Sequence, residues 1–199
     1  MFTIVAALKA EVQPILNFLG EAAVSCLGEG TLYAYEHVHV LRLGIGGPKA
    51  SETLRTYLGW YEPAFILNIG LAGALHTSLL PQQVLRILTV ESEETAQSIP
   101  LPFHAKLKDL QPAHLLTVNQ PVTDATRREN LLHRFQADLV DMEGFHLARV
   151  CRSYSLPFYA VKAVSDFADK DSAAQLRSHY KACAQHLLTS IQPFFEPWP

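Results

Sequence analysis

Short apolar runs rich in β-branched residues recur along the chain, at Phe2–Leu8, Val38–Leu43, Ala64–Ile69, Val84–Val90, His114–Val118, Ala137–Val140 and Phe158–Val164. Each has the length of a strand, and a nearly unbroken apolar run suits a strand covered on both faces. Between several of them the apolar positions recur three and four residues apart. Val12, Ile15, Leu16 and Leu19 make one face of a helix within Glu11–Leu19, and Ala50, Leu54, Tyr57, Leu58 and Tyr61 do the same around Lys49–Trp60. Thr123–Phe135 opens on a Thr-Asp pair suited to capping, Met142–Tyr154 carries Phe145, Leu147, Ala148, Val150 and Cys151, and Ser172–Phe195 reads as a long last helix stopped near Pro193. Strands alternating with helices predict a mixed, mainly parallel, twisted sheet covered by helices on both sides. Glu91–Gln111 breaks the rhythm with Pro100 and Pro102 and reads as a surface loop. Neither an internal repeat nor a low-complexity segment is visible. The tail Pro193–Pro199, with two Phe and one Trp, is expected either to pack down or to join an interface.

The chain of 199 residues is long enough for one good core and short for two, so residues 1–199 are expected to form a single domain. Hydrophobic residues make up 49% and charged residues 18%, which excludes a disordered chain. A mean hydropathy of +0.09 is high for a small globular domain. The surplus fits either a homo-oligomer interface or a large core. The net charge of −3 and the lack of any basic cluster beyond Arg127-Arg128 argue against nucleic acid as a partner. Met1–Leu8 is too short for a secretion signal, and no run approaches the roughly 18 apolar residues of a membrane span. Cys26, Cys151 and Cys183 are scattered and odd in number, as expected of reduced thiols in a cytoplasmic protein.

In an open α/β sheet, ligands bind beyond the carboxyl ends of the strands. Glu11 follows the first run, Gly44-Ile45-Gly46-Gly47 the second and Gly70-Leu71-Ala72-Gly73 the third. Asp141-Met142-Glu143-Gly144 and Ser165-Asp166 follow the last two. Asp141 alone reads as a helix cap, and Glu143 as a first-turn acid favoured by the helix dipole. Taken together, Glu11, Glu143 and Asp166 could converge on one hollow. Several carboxyls within apolar walls push each other's pKa values apart, so one can hold a proton while another stays ionised. That suits cleavage of a glycosidic bond, where a leaving group is protonated and a cationic sugar is stabilised.

Of the nine His, only His37 and His39 are close, and as i, i+2 on a strand they are expected to face one side. No HExxH motif or Cys/His ligand spacing is present, so no metal and no cofactor is expected. The Gly44–Gly47 turn lacks both G-x-G-x-x-G and GK[ST], and Ser165 lacks a nucleophile-elbow motif.

The ordered set Val140-Asp141-Met142-Glu143-Gly144, Val150-Cys151, Leu156-Pro157-Phe158 and Val164-Ser165-Asp166-Phe167-Ala168-Asp169 resembles the nucleoside phosphorylase and nucleosidase superfamily. Its nearest branches are the methylthioadenosine/S-adenosylhomocysteine nucleosidases and futalosine hydrolases. Ala7-Leu8-Lys9-Ala10-Glu11-Val12, Gly44-Ile45-Gly46 and Asn68-Ile69-Gly70-Leu71-Ala72-Gly73 add to it, and the likeness covers roughly residues 2–175. The resemblance implies a three-layer α/β/α phosphorylase-type fold, usually a homodimer, acting on a small purine nucleoside.

By the same resemblance, Glu11 polarises the attacking water and Asp166 gives a proton or strong hydrogen bond to N7 of the departing purine. Glu143 binds the ribose hydroxyls, with Met142 packed under the sugar, while Gly70, Leu71, Ala72 and Ser165 line the ribose and nucleophile pocket. Leu71 stands where the family commonly has Ser, and Lys162 where the nucleosidases carry an Arg near the water. Asn68 stands where one phosphorylase branch has a phosphate-binding Arg. These departures favour water over phosphate as nucleophile, and Asp166 favours adenine over a 6-oxopurine. The alternatives are a phosphate-dependent purine nucleoside phosphorylase and a non-catalytic purine-binding protein, the latter favoured by Leu71 and a shortened middle, Glu91–Gln120.

Overall fold

The computed structural model describes residues 1–196. Strand β1 (Phe2–Ala6) leads into helix α1 (Lys9–Leu19); β2 (Ala23–Leu27), β3 (Gly30–Ala34) and β4 (Val38–Arg42) then precede α2 (Gly47–Leu58). β5 (Ile66–Ala74), β6 (Val84–Ser92), β7 (Ser98–Pro100) and β8 (Gln111–Thr117) follow. The chain continues with α3 (Ala125–Phe135), β9 (Leu139–Asp141), α4 (Gly144–Ser153), β10 (Phe158–Asp166) and α5 (Ser172–Ile191).

Parallel pairing joins β1 to β4 and β5, β5 to β10, β6 to β8, and β8 to β9. The antiparallel pairs are β2–β3, β3–β4, β5–β9, β6–β7 and β6–β10. Because β10 bonds both β5 and β6, strands β5, β10, β6, β8 and β9 close into a ring, with β1, β4, β3 and β2 running out from β5. The sheet is mixed, as the alternation of elements predicts.

Successive strand residues face opposite ways, and the cores follow that period. Val5, Leu41, Ile66 and Ala160 point to the side where Leu54 and Tyr57 of α2 and Phe145 and Leu147 of α4 pack. Their neighbours Ile4, Val40, Leu67 and Val161 point to the other side, against Val12 and Ile15 of α1 and Cys183 and Leu187 of α5. The result is three layers, helix on sheet on helix. No described helix is long and apolar enough to cross a membrane.

Three expectations need correction, and one element went unread. Gly70–Gly73 does not follow the third strand but forms the second half of it, in β5, paired with β10 throughout. Glu91–Gln111 is not a loop: it holds the end of β6, the strand β7 and a 3₁₀ turn at Ala105–Leu107. Pro100 is tolerated because β7 pairs only with β6, and an edge strand can lack an amide donor. The hairpin β2–β3 carried no readable pattern, since β2 is exposed along nearly its whole length. His37 and His39 do not share a side: His37 is exposed, whereas His39 is buried and bonded through Nδ1 to the Tyr57 hydroxyl at 2.9 Å. Of the aromatic tail, Phe194 packs down against Phe2 and Phe65, while Pro197, Trp198 and Pro199 lie outside the described residues.

Candidate active site

A cavity of about 500 Å³ opens at the carboxyl ends of β1, β4, β5, β9 and β10. Glu11, Leu71, Ala72, Met142, Glu143, Ser165 and Asp166 all line it. Gly70 and Lys162 do not; they stand directly behind the wall. A Cβ on Gly70 would lie 3.1 Å from Glu11 Oε1 and 3.3 Å from Lys162 Nζ, so the bare glycine lets the carboxylate and the ammonium approach each other.

Glu11 sits in the first turn of α1, where free amides need acceptors. Its Oε2 accepts from the Leu8 amide at 2.7 Å, and its Oε1 accepts from the Leu71 amide on β5 at 2.9 Å. The residue is 4% exposed. Burial raises its pKa, against the Leu71 and Leu8 amides and the Lys162 charge, which lower it.

Asp141 ends β9 and is tied four ways. Thr117 Oγ1 donates to its Oδ1 at 2.7 Å, the Gly144 amide donates to both oxygens, and Lys162 Nζ pairs with its Oδ2 at 2.8 Å. The Phe145 amide is taken by Thr117 Oγ1 at 2.8 Å. The first two amides of α4 are thus satisfied by Asp141 and Thr117, although the N-cap position itself is Glu143, whose side chain makes no cap bond. Asp141 also neutralises Lys162, which the sequence did not reveal. The Lys162 ammonium is 3% exposed in its side chain. Burial alone would lower its pKa, but Asp141, Glu143 and Glu11 together raise it.

Glu143 follows two residues later and turns into the cavity, where its Oε1 accepts from the Gly46 amide at 2.7 Å. Gly46 has φ 94°, a conformation that favours glycine. Burial, and next the Asp141 charge, push the Glu143 carboxyl up to about 7, against the Gly46 amide and Lys162.

Asp166 closes β10. The pairing with β5 passes from Val164↔Ala72 to Asp166↔Gly73 and skips Ser165, a bulge that turns the next side chain inward. Asp166 Oδ1 accepts from the Ala168 amide at 2.9 Å. Ser165 Oγ donates to Asp166 Oδ2 at 2.6 Å and also lies 3.2 Å from the Ala72 carbonyl.

The remaining wall is mostly apolar and includes Val118, Pro121 and Val122 after β8, with Ala173 and Leu176 from α5, beside Thr123 and Ser172. Sequence reading missed this wall although the strand-end rule that found the acids applies equally to β8. No Lys, Arg or His lines the cavity, and among the described residues no group of three or more His, Cys, Asp or Glu is placed to hold a metal. Four carboxyls around an apolar hollow can stabilise a cationic sugar and deliver a proton to a leaving group.

The phosphorylase superfamily model matches residues 103–194. A 5′-methylthioadenosine/S-adenosylhomocysteine nucleosidase of Bacillus subtilis is 26% identical, over 92% of this chain and 93% of its own. The S-adenosylhomocysteine nucleosidase of Streptococcus pyogenes, solved with 5-methylthiotubericidin, superposes with a TM-score of 0.92 at 19% identity, over 100% of this chain and 97% of its own. Futalosine hydrolase of Helicobacter pylori gives 0.90 at 21% identity, over 98% and 96%. The chain shares the fold of these two solved structures. The three-layer phosphorylase-type architecture expected from the sequence is therefore present, and the cavity lies at the carboxyl end of this fold's parallel strands.

Proposed function

We propose that the protein is a nucleosidase that hydrolyses the N-glycosidic bond of a purine nucleoside, with adenine as the base. Residues 1–199 act in this reading as one catalytic domain. The observation that carries it is the meeting of Glu11, Glu143 and Asp166, from α1, the β9–α4 turn and β10, around one cavity of about 500 Å³. The nucleosidase relatives support it.

In this mechanism Glu11, held by two backbone amides, orients and polarises the attacking water. Glu143 presents its free oxygen to the ribose hydroxyls over Met142, and Asp166 hydrogen-bonds or protonates N7 as the bond to the sugar breaks. Ser165 has one hydroxyl proton and two acceptors in reach. By turning it to the Ala72 carbonyl, Ser165 can release Asp166 Oδ2 for the hydrogen bond to N7. The anionic walls then stabilise the oxocarbenium-like sugar. Water is favoured over phosphate because no cationic side chain lines the cavity and Lys162 is neutralised behind it. The proposal extends to a cytoplasmic homodimer or higher homo-oligomer. Support comes from the free thiols and from Ile45, which sits at the cavity and is 56% exposed.

Incubation with methylthioadenosine, adenosine, inosine and futalosine, with and without phosphate, tests the reading by base release. Base without phosphate is expected. Strict phosphate dependence would make the protein a phosphorylase, and no release from any substrate would make it a binding protein. Glu11→Gln is expected to cut kcat about a hundredfold and also to lower the melting temperature, because the amide loses the charge and sets its Nε2 donor against one of the two backbone N–H groups, Leu8 or Leu71, that the carboxylate accepts from. Steady-state kinetics beside thermal denaturation checks it.

The raised Glu143 pKa gives a pH dependence. Glu143 must be ionised to accept the ribose hydroxyls, and it is ionised above its pKa. As pH falls below about 7, kcat/KM is expected to drop about tenfold per unit. In Glu143→Gln that limb should vanish, leaving a low rate set by the other groups; an unchanged acid limb would remove Glu143 from this role.

A further inference from the structure

The amide that holds Glu143 belongs to the turn between β4 and α2, and that turn rests on α4 at a second point. Gly47 packs on the ring of His146. A Cβ at position 47 would stand 2.1 Å from His146 Cδ2 and 2.5 Å from its Cγ and Nε2. His146 lies three residues after Glu143, so both side chains reach the turn from one face of α4. At Glu143 the contact is a hydrogen bond of 2.7 Å from the Gly46 amide; at His146 it is a flat ring against a residue with no side chain. Among the described residues His146 has no hydrogen-bond or ion-pair partner, and burial, helped by Arg149, disfavours its charged form. The ring therefore acts through its shape. Ile45, at the cavity, belongs to the same turn.

From this geometry we infer that His146 is a positioning residue, whose ring sets the height of the Gly46–Gly47 turn so that the Gly46 amide occupies one oxygen of Glu143 and leaves the other for substrate. Without the ring, a gap opens between α2 and α4, the turn can sink, and the Glu143 carboxyl loses its fixed donor. The inference rests on the proposed role of Glu143 in holding ribose hydroxyls.

Four variants test it: His146→Ala, His146→Phe, which keeps a flat ring, and Gly47→Ala alone and combined with His146→Ala. His146→Ala is expected to raise KM for methylthioadenosine about tenfold with a smaller change in kcat, and to shrink the penalty for a 3′-deoxy analogue by a similar factor. His146→Phe should stay within about twofold of the parent on both. Amide exchange at Gly46, followed by NMR, should quicken in His146→Ala and return in His146→Phe. Gly47→Ala should lower the melting temperature alone but not beside His146→Ala, where the new methyl enters the space the ring vacates. Unchanged Gly46 exchange in His146→Ala, or equal damage from Ala and Phe, would overturn the inference. If the unsubstituted protein shows no preference for the 3′-hydroxyl, the role given to Glu143 fails instead, and Gly46 exchange still decides the role of His146.

Discussion

Asp166→Asn is expected to lower kcat/KM for methylthioadenosine by about 10² to 10⁴, the range associated with loss of a positioned proton donor. The substitution suits the site sterically. Asn can keep the bond from the Ala168 amide through its oxygen, and Ser165 Oγ can turn to accept from the new amide nitrogen in place of donating to Oδ2. The bulge that aims the side chain is set by the β5–β10 pairing and not by the carboxyl. Folding should therefore survive, and unfolding in urea should be nearly unchanged. What is lost is the acid that can protonate N7 while accepting from a 6-amino group. The Asn variant should thus lose less activity on a 6-oxopurine nucleoside than on an adenine nucleoside, so the ratio of the two kcat/KM values should fall. Measuring both substrates separates a chemical role from a packing role. An equal loss on both would place Asp166 in general scaffolding, and no loss on either would remove it from the reaction.

What could be read from the chain follows from the range of the forces involved. The buried strands were legible because a strand covered on both faces must be apolar along its length, as in β1, β4 and β10. The helices were legible because α1, α2 and α4 each bury one face. The hairpin β2–β3 was not, since β2 faces mostly outward and its pairing depends on backbone bonds that any side chain permits. Gly70–Gly73 read as lying past the strand because glycine usually marks a strand's end. Here it marks a crowded strand, where Glu11 and Lys162 close over Gly70 and Asp166 approaches Gly73. At the cavity, the acids could be listed from strand ends, but their partners could not. The bond from Gly46 to Glu143 spans 97 positions, and that from Leu71 to Glu11 spans 60. Only the folded sheet brings such pairs together. The same holds for Lys162, whose partner across the sheet turned a capping Asp141 into one half of a buried ion pair.

That pair sets the second large expectation. Lys162→Met should destabilise the protein by about 3 to 5 kcal/mol, the usual cost of leaving one member of a buried ion pair alone. Both side chains are nearly sealed from water, at 3% and 1% exposure, so solvent cannot replace the lost ammonium. Asp141 would keep Thr117 Oγ1 and the Gly144 amide but would hold its charge beside Glu143 with no cation between them and Glu11. The cost should lie mainly in that uncompensated charge and not in lost packing, because Met fills nearly the same volume. Adding Asp141→Asn removes the charge while keeping an acceptor for Thr117 and Gly144. The double variant should therefore recover most of the loss, with a coupling well outside the few tenths of a kcal/mol seen for independent sites. Urea unfolding of the parent, both single variants and the double variant at pH 7 gives the cycle. Additive losses would mean that Lys162 and Asp141 stabilise the fold separately, and that the ammonium behind the cavity serves packing instead of balancing the acids around it.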